Sequence, residues 1–169
     1  MTTHDLSQTL RTRTHGWQPT EPAATLTHLS GEEVLRAIVE GRIPAPPIAS
    51  TLGFRLMDVG PGTAVFEGET GEYLYNPLGS VHGGYLATLL DSALGSAVMS
   101  RLPAGTGYTT TQLNVHLVRP VFADTGLLRC EGNALHVGRT VATAEARVVG
   151  AADGKLYAHG TTTCAVLKA

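Results

Sequence analysis

Residues 83–100 contain no proline, and Leu86, Leu89, Leu90, Ala93, Leu94, Ala97 and Val98 recur at helical spacing with little polar surface between them. A helix apolar nearly all round is a buried helix. One long buried helix needs a sheet curled around it, so the expected fold class is α+β, an antiparallel sheet wrapped on a central helix. Asp91 is the anomaly, because an ionised carboxylate in an apolar interior is costly unless it is paired, hydrogen-bonded or used. The positions that share its helix face are Gly84, Ala87, Thr88, Gly95 and Val98, mostly small, which leaves room beside the carboxylate. Two readings follow: Asp91 bonds a nearby backbone amide beneath a closely packed sheet, or it works on a ligand.

The rest of the chain is consistent with that frame. Residues 1–28 are polar and without periodicity, and read as a mobile arm whose one large apolar residue, Trp17, is placed to dock on the body or on a partner chain. Ser30-Gly31-Glu32-Glu33 has the form of a capping box, and Val34, Leu35, Ile38 and Val39 make an apolar stripe, so 31–40 reads as a short amphipathic helix. Pro44, Pro46 and Pro47 then predict a stiff extended link. We divide the chain into an arm with its helix at 1–47 and a main domain at 48–169. Alternating apolar residues predict an antiparallel pair at 51–59 and 62–70 around Gly60-Pro61-Gly62. A polar, glycine-rich turn at 76–84 leads into the helix. Four strands follow, the first alternating Thr109, Thr111, Leu113, Val115 and Leu117 with Thr110, Gln112, Asn114, His116 and Val118. The others fall at 126–136, 141–149 and 155–167. Their short connections predict a meander.

The chain has 169 residues, enough for one domain with a real core. A net charge of −2 with 15% charged residues gives no sign of a nucleic-acid or membrane-surface partner. The first residues lack the plan of a signal peptide, and Cys130 and Cys164 fall in expected strands, so a reducing cytoplasm is the expected compartment and both thiols read as small buried apolar groups. His116, His136 and His159 sit on separate strands without ligand spacing, so no metal is expected. Walker, dinucleotide and G-x-S-x-G patterns are absent.

The start of the buried helix, at His82 and Gly83, offers free N–H groups and the positive end of the helix dipole, which suit a carbonyl oxygen becoming an oxyanion. His82 reads equally as a simple cap. Asp91 supplies a base for water or a direct nucleophile. Eight residues, about 12 Å of helix at 1.5 Å per residue, separate Gly83 from Asp91. One chain cannot bring both to one carbonyl carbon, whereas a twofold dimer can, with two equal shared sites.

The string Asn76-Pro77-Leu78-Gly79-Ser80-Val81-His82-Gly83-Gly84 followed by Leu89-Leu90-Asp91-Ser92-Ala93 resembles the signature of hotdog-fold acyl-CoA thioesterases of the PaaI-like, phenylacetic-acid-degradation type. Thr110-Thr111-Gln112-Leu113-Asn114-Val115-His116-Leu117-Val118-Arg119-Pro120 and Gly138-Arg139-Thr140 resemble the family's second half, and the resemblance covers about 50–167. It implies a homo-oligomer of shared-site dimers, often paired into tetramers. It also implies hydrolysis of an acyl-CoA without metal or other cofactor, coenzyme A being part of the substrate. Asp91 is then the base or nucleophile and the Gly83 N–H the carbonyl polariser. His82 and Asn76 are positioning groups, Thr110 is a hydroxyl near the water with Thr109 and Thr111 as rival registers, and Gly84 and Thr88 line the substrate path. The turn Gly138-Arg139-Thr140 holds coenzyme A, or Arg139 is simply a solvated turn residue. Two other classes share the fold: an acyl-CoA hydratase or dehydratase, which releases no thiol, and a binding module without turnover. The acyl pocket is expected to depend on residues 71–78, the small helix face and the partner chain. Tyr73, Tyr75 and Tyr85 suit an aromatic acyl group or, the favoured reading, packing at the dimer contact.

Overall fold

The computed structural model describes residues 10–168; the first nine residues of the expected arm, and residue 169, lie outside the described residues. Three helices, α1 (Gly31–Val39), α2 (Pro47–Leu52) and α3 (Gly83–Met99), accompany six strands. The strands are β1 (Phe54–Gly60), β2 (Thr63–Gly68), β3 (Thr106–Leu117), β4 (Leu128–Val137), β5 (Val141–Gly150) and β6 (Leu156–Lys168). They form one antiparallel sheet in the order β1-β2-β4-β5-β6-β3, and every strand touches α3. Leu89, Leu90, Ala93, Leu94, Ala97 and Val98 are fully buried there, as the apolar run predicts.

The sheet approaches α3 closely because Gly132 on β4 has no side chain: a Cβ at that position would overlap the Ala93 carbonyl. Ser100, at the end of α3, fixes the other margin. Its hydroxyl donates to the Ala97 carbonyl at 2.8 Å and accepts from the Gly62 N–H at 2.8 Å, tying the β1–β2 turn to the helix end. The expected capping box is present at α1: the Ser30 hydroxyl accepts from the Glu33 N–H and the Glu33 carboxylate accepts from the Ser30 N–H. The Gly31 N–H donates to the Leu102 carbonyl at 3.0 Å, which docks α1 beside the end of α3.

The structure differs from the sequence-based expectation in four places. Residues 47–52, read as link and strand, form α2: Pro47 at its first turn needs no N–H partner, and Gly53 ends it at φ 76°. The last four strands are not a simple meander. After β3 the chain runs through 118–127 to the far side of the sheet, so β4 pairs with β2 and β3 becomes an edge beside β6. The register of β3 also shifts between Thr110 and Gln112, leaving Thr111 as an extra bulged residue. Tyr108, Thr110, Leu113 and Val115 therefore face the core side, while Thr109, Thr111 and Gln112 are exposed. Finally, Trp17 is 62% exposed within this chain and lies beside the His15 ring, so of its two expected docking places the body is not the one it takes among the described residues.

Gly132→Ala should cost about 1–3 kcal/mol of unfolding free energy, because an added methyl meets helix backbone that cannot turn away. Urea denaturation with an unchanged m-value is the measurement that checks it.

Candidate active site

The α3 N-terminus is built by the turn before it. The Asn76 carboxamide closes that turn on itself: its Oδ1 accepts from the Leu78 and Ser80 N–H groups and its Nδ2 donates to the Ser80 hydroxyl. Asn76 thus shapes the loop, although it also lines a shallow depression with Gly83, Leu117 and Arg119. His82 is the N-cap. Its Nδ1 accepts from the Gly84 N–H at 2.9 Å, which in a neutral ring puts the proton on Nε2 as an outward donor. Among the described residues the Gly83 N–H has no protein acceptor. A Cβ on Gly83 would come within 2.5 Å of a Leu117 methyl, so a side chain here would crowd the approach to that N–H.

His82, Gly84 and Thr88 line a separate groove with Tyr73, Tyr75 and Tyr85. The Thr88 hydroxyl is turned back onto the Gly84 carbonyl at 2.9 Å. Two of the three tyrosines have work inside the chain: the Tyr85 phenol donates to the Glu69 carbonyl, and the Tyr75 phenol oxygen accepts from the Ala123 N–H. Tyr73 lies under the Arg13 guanidinium, whose Nη1 donates to the Thr51 carbonyl.

Asp91 and Thr110 are brought together. The Thr110 hydroxyl donates to Asp91 Oδ1 at 3.0 Å, so among the three neighbouring threonines the bulge selects Thr110. Thr111 instead donates to the Thr163 carbonyl across the bulge. Asp91 is half-buried and opens on an apolar cavity of about 220 Å³. Leu35, Ile38, Pro46, Ile48, Phe54 and Phe66 wall it, and Ser96 and Tyr108 add hydroxyls on the α3 side. Burial pushes the Tyr108 phenol up, with Cys164 and Asp91 adding to the effect, so it stays protonated at neutral pH. Sequence reasoning expected room beside Asp91 but missed the wall that residues 35–49 give it. The small helix face gave the room beside Asp91, but the only signal of the far wall was the α1 stripe that carries Leu35 and Ile38, and a stripe of that kind reads as ordinary packing.

The turn Gly138-Arg139-Thr140 stands apart. It is the hairpin between β4 and β5, and Val141 next to it is opposite Ala165, itself opposite Thr109, so the turn is two strands from β3. Cys130 and Cys164 are free and buried, and burial pushes both thiols up, away from the thiolate form a nucleophile needs. No group of three or more His, Cys, Asp or Glu among the described residues is placed to hold a metal ion. No helix among them is long and apolar enough to cross a membrane.

The chain therefore carries an unpaired N–H at a helix start and a hydroxyl-bonded carboxylate beside an apolar cavity, on one buried helix. Known proteins share the fold that carries them. The thioesterase superfamily matches residues 78–157. A phenylacetic acid degradation-related protein of Ralstonia eutropha superposes with a TM-score of 0.70 at 32% identity, covering 78% of this chain and 98% of that one. Human acyl-coenzyme A thioesterase 13 is 26% identical over 130 residues, 76% of this chain and 91% of that protein. A Halobacterium salinarum protein described as an esterase is 44% identical over 77 residues, which span 44% of this chain and about half, 49%, of that protein. The long apolar helix, the sheet wrapped on it and these relatives place the chain in the thioesterase superfamily, as a hotdog-fold member of the PaaI type.

Proposed function

We propose that the protein hydrolyses an acyl-CoA thioester to the free acid and coenzyme A, with Asp91 as general base in a site completed by a second copy of the chain. The observation that carries this is the Thr110–Asp91 hydrogen bond at the mouth of an apolar cavity. A hydroxyl has one proton and two lone pairs. Thr110 spends its proton on Asp91 Oδ1, which leaves its lone pairs and Asp91 Oδ2 as two acceptors for one water. Asp91 takes a proton from that water as its oxygen bonds the thioester carbon. The carbonyl electrons move onto oxygen and return as the C–S bond breaks, and the proton passes to the departing sulfur. A backbone N–H at a helix start stabilises the transient oxyanion.

The polarising N–H comes from Gly83 of the partner, because Gly83 and Asp91 of one chain open on different depressions. Support for the dimer lies at two places. β3 is a 12-residue edge strand with an unpaired side. The surface beside Gly83 exposes Leu78, Leu117, Val118 and Phe122, an apolar set that a partner would cover. Pairing of two such dimers into a tetramer rests on the resemblance. His82, through Nε2–H, and the groove with Gly84 and Thr88 are assigned to substrate positioning, and Asn76 to holding the loop that carries His82. Coenzyme A phosphates are assigned to the turn Gly138-Arg139-Thr140, where Arg139 is exposed and has no ion-pair partner among the described residues. The reaction needs no group beyond the thioester and water.

Thiol release from an acyl-CoA panel should fall about 10²–10⁴-fold in Asp91→Asn with the fold retained by circular dichroism. Full activity in that variant would overturn the assignment. Thr110→Val removes a hydrogen bond to a charged group, so kcat should drop roughly 10–100-fold, while Thr110→Ser keeps most of it. Arg139→Ala should raise KM several-fold with kcat little changed, as loss of uniform binding does. Sedimentation should show a dimer or tetramer; a monomer with full activity would rule out the shared site.

A further inference from the structure

The cavity beside Asp91 has one wall unlike the others. Phe54, Phe66 and Tyr108 belong to the sheet and Ser92 and Ser96 to α3, all parts of the wrapped body. The facing wall comes from 35–49: Leu35 and Ile38 on α1, Pro46 in the link, and Ile48 on α2. This segment is held at both ends, by the Ser30–Glu33 box and by Gly53 in the left-handed conformation. Pro44 and Pro46 between α1 and α2, with Pro47 opening α2, limit how far it can bend. Leu35 is buried and Ile38 half-buried, whereas Ile48 stands at the rim, 49% exposed.

A thioester whose carbonyl carbon lies at Asp91 has two arms to place. Coenzyme A is large and carries phosphates, so it stays in water. The acyl arm has the apolar cavity in front of it. A dry apolar cavity of about 150 Å³ holds one benzene ring. At about 220 Å³ the present one holds a ring with a short linker, or an aliphatic chain of like bulk, but not a whole long fatty chain.

We propose that segment 35–49 is the acyl-selecting wall of the site, with Ile38 and Ile48 setting the largest acyl group admitted. The inference rests on the thioesterase reading above and adds to it the class of acyl group and the residues that choose it. Because the prolines stiffen the wall, the limit on size is sharp rather than gradual.

The test is kcat/KM for thiol release from acetyl-, hexanoyl-, benzoyl-, decanoyl- and palmitoyl-CoA, with wild type, Ile38→Ala and Ile38→Trp side by side. Wild type should prefer hexanoyl- and benzoyl-CoA and fall away by palmitoyl-CoA. Ile38→Trp should lower the benzoyl-to-acetyl ratio about tenfold or more, and Ile38→Ala should raise the decanoyl-to-hexanoyl ratio by a similar factor, the range a pocket gives for added or missing methylenes. Ile38 is half-buried, so the alanine variant decides alone if the tryptophan variant does not fold. Thiol release with the same acyl profile in wild type and Ile38→Ala would overturn the wall and leave the thioesterase reading standing. No release from any substrate by folded wild type would overturn the thioesterase reading, and the wall with it.

Discussion

Burial of α3 is the constraint on which the rest depends. Its run of leucine, alanine and valine has no stable place in water, and six strands close around it. The closeness of that wrap is set by backbone meeting backbone at Gly132 and Ala93. Short of its last residue, Met99, the helix escapes the wrap at two places: its first turn, where Gly83 and Gly84 meet the surface, and the side that carries Asp91. Both escapes bear the polar groups that matter, one a donor and the other an acceptor. Packing that hides the helix thereby also keeps the Gly83 N–H and the Asp91 carboxylate, the two groups of the proposed site, apart from each other.

Much of this was legible in the chain. The apolar run from Leu86 to Val98 and the glycine-rich turn before it predict a buried helix with an exposed start. The box at Ser30–Glu33 announces α1, and strands β4 to β6 fall within a few residues of their expected bounds. What escaped has physical causes. A proline-rich stretch reads as extended, yet Pro47 is at the one helical position where a missing N–H costs nothing. Strand order is a long-range property, and alternation along β3 says nothing about which neighbour it takes. The bulge at Thr111 left no mark in composition, since all three candidate residues are threonine.

The site was legible in part for the same reasons. Asp91 stands out because its cost in an apolar helix is visible in one dimension. Its partner Thr110 does not, because the choice among three threonines is made by the ladder with β6. The small face beside Asp91 announced room, but not the cavity's outline, because the other walls come from separate parts of the chain, α1, the 45–46 link, α2, the β1–β2 pair and β3. Asn76 and Tyr85 each have a contact that no local pattern announces: Asn76 closes its own turn, and the Tyr85 phenol reaches the Glu69 carbonyl.

The extra residue in β3 works as a phase shift. Upstream of it, Tyr108 and Thr110 face α3; downstream, Leu113 and Val115 do so at odd positions instead of even ones. Each half of the strand therefore keeps its own phase, one bringing Thr110 to Asp91 and the other filling the core, and a single residue is the spacer between them. Losing any one of the three threonines would leave the composition almost untouched and put the two halves back in step. Either the core half or the catalytic half would then face the wrong way. In this strand length is a stricter determinant than identity, and one inserted or deleted residue would be more damaging than several substitutions.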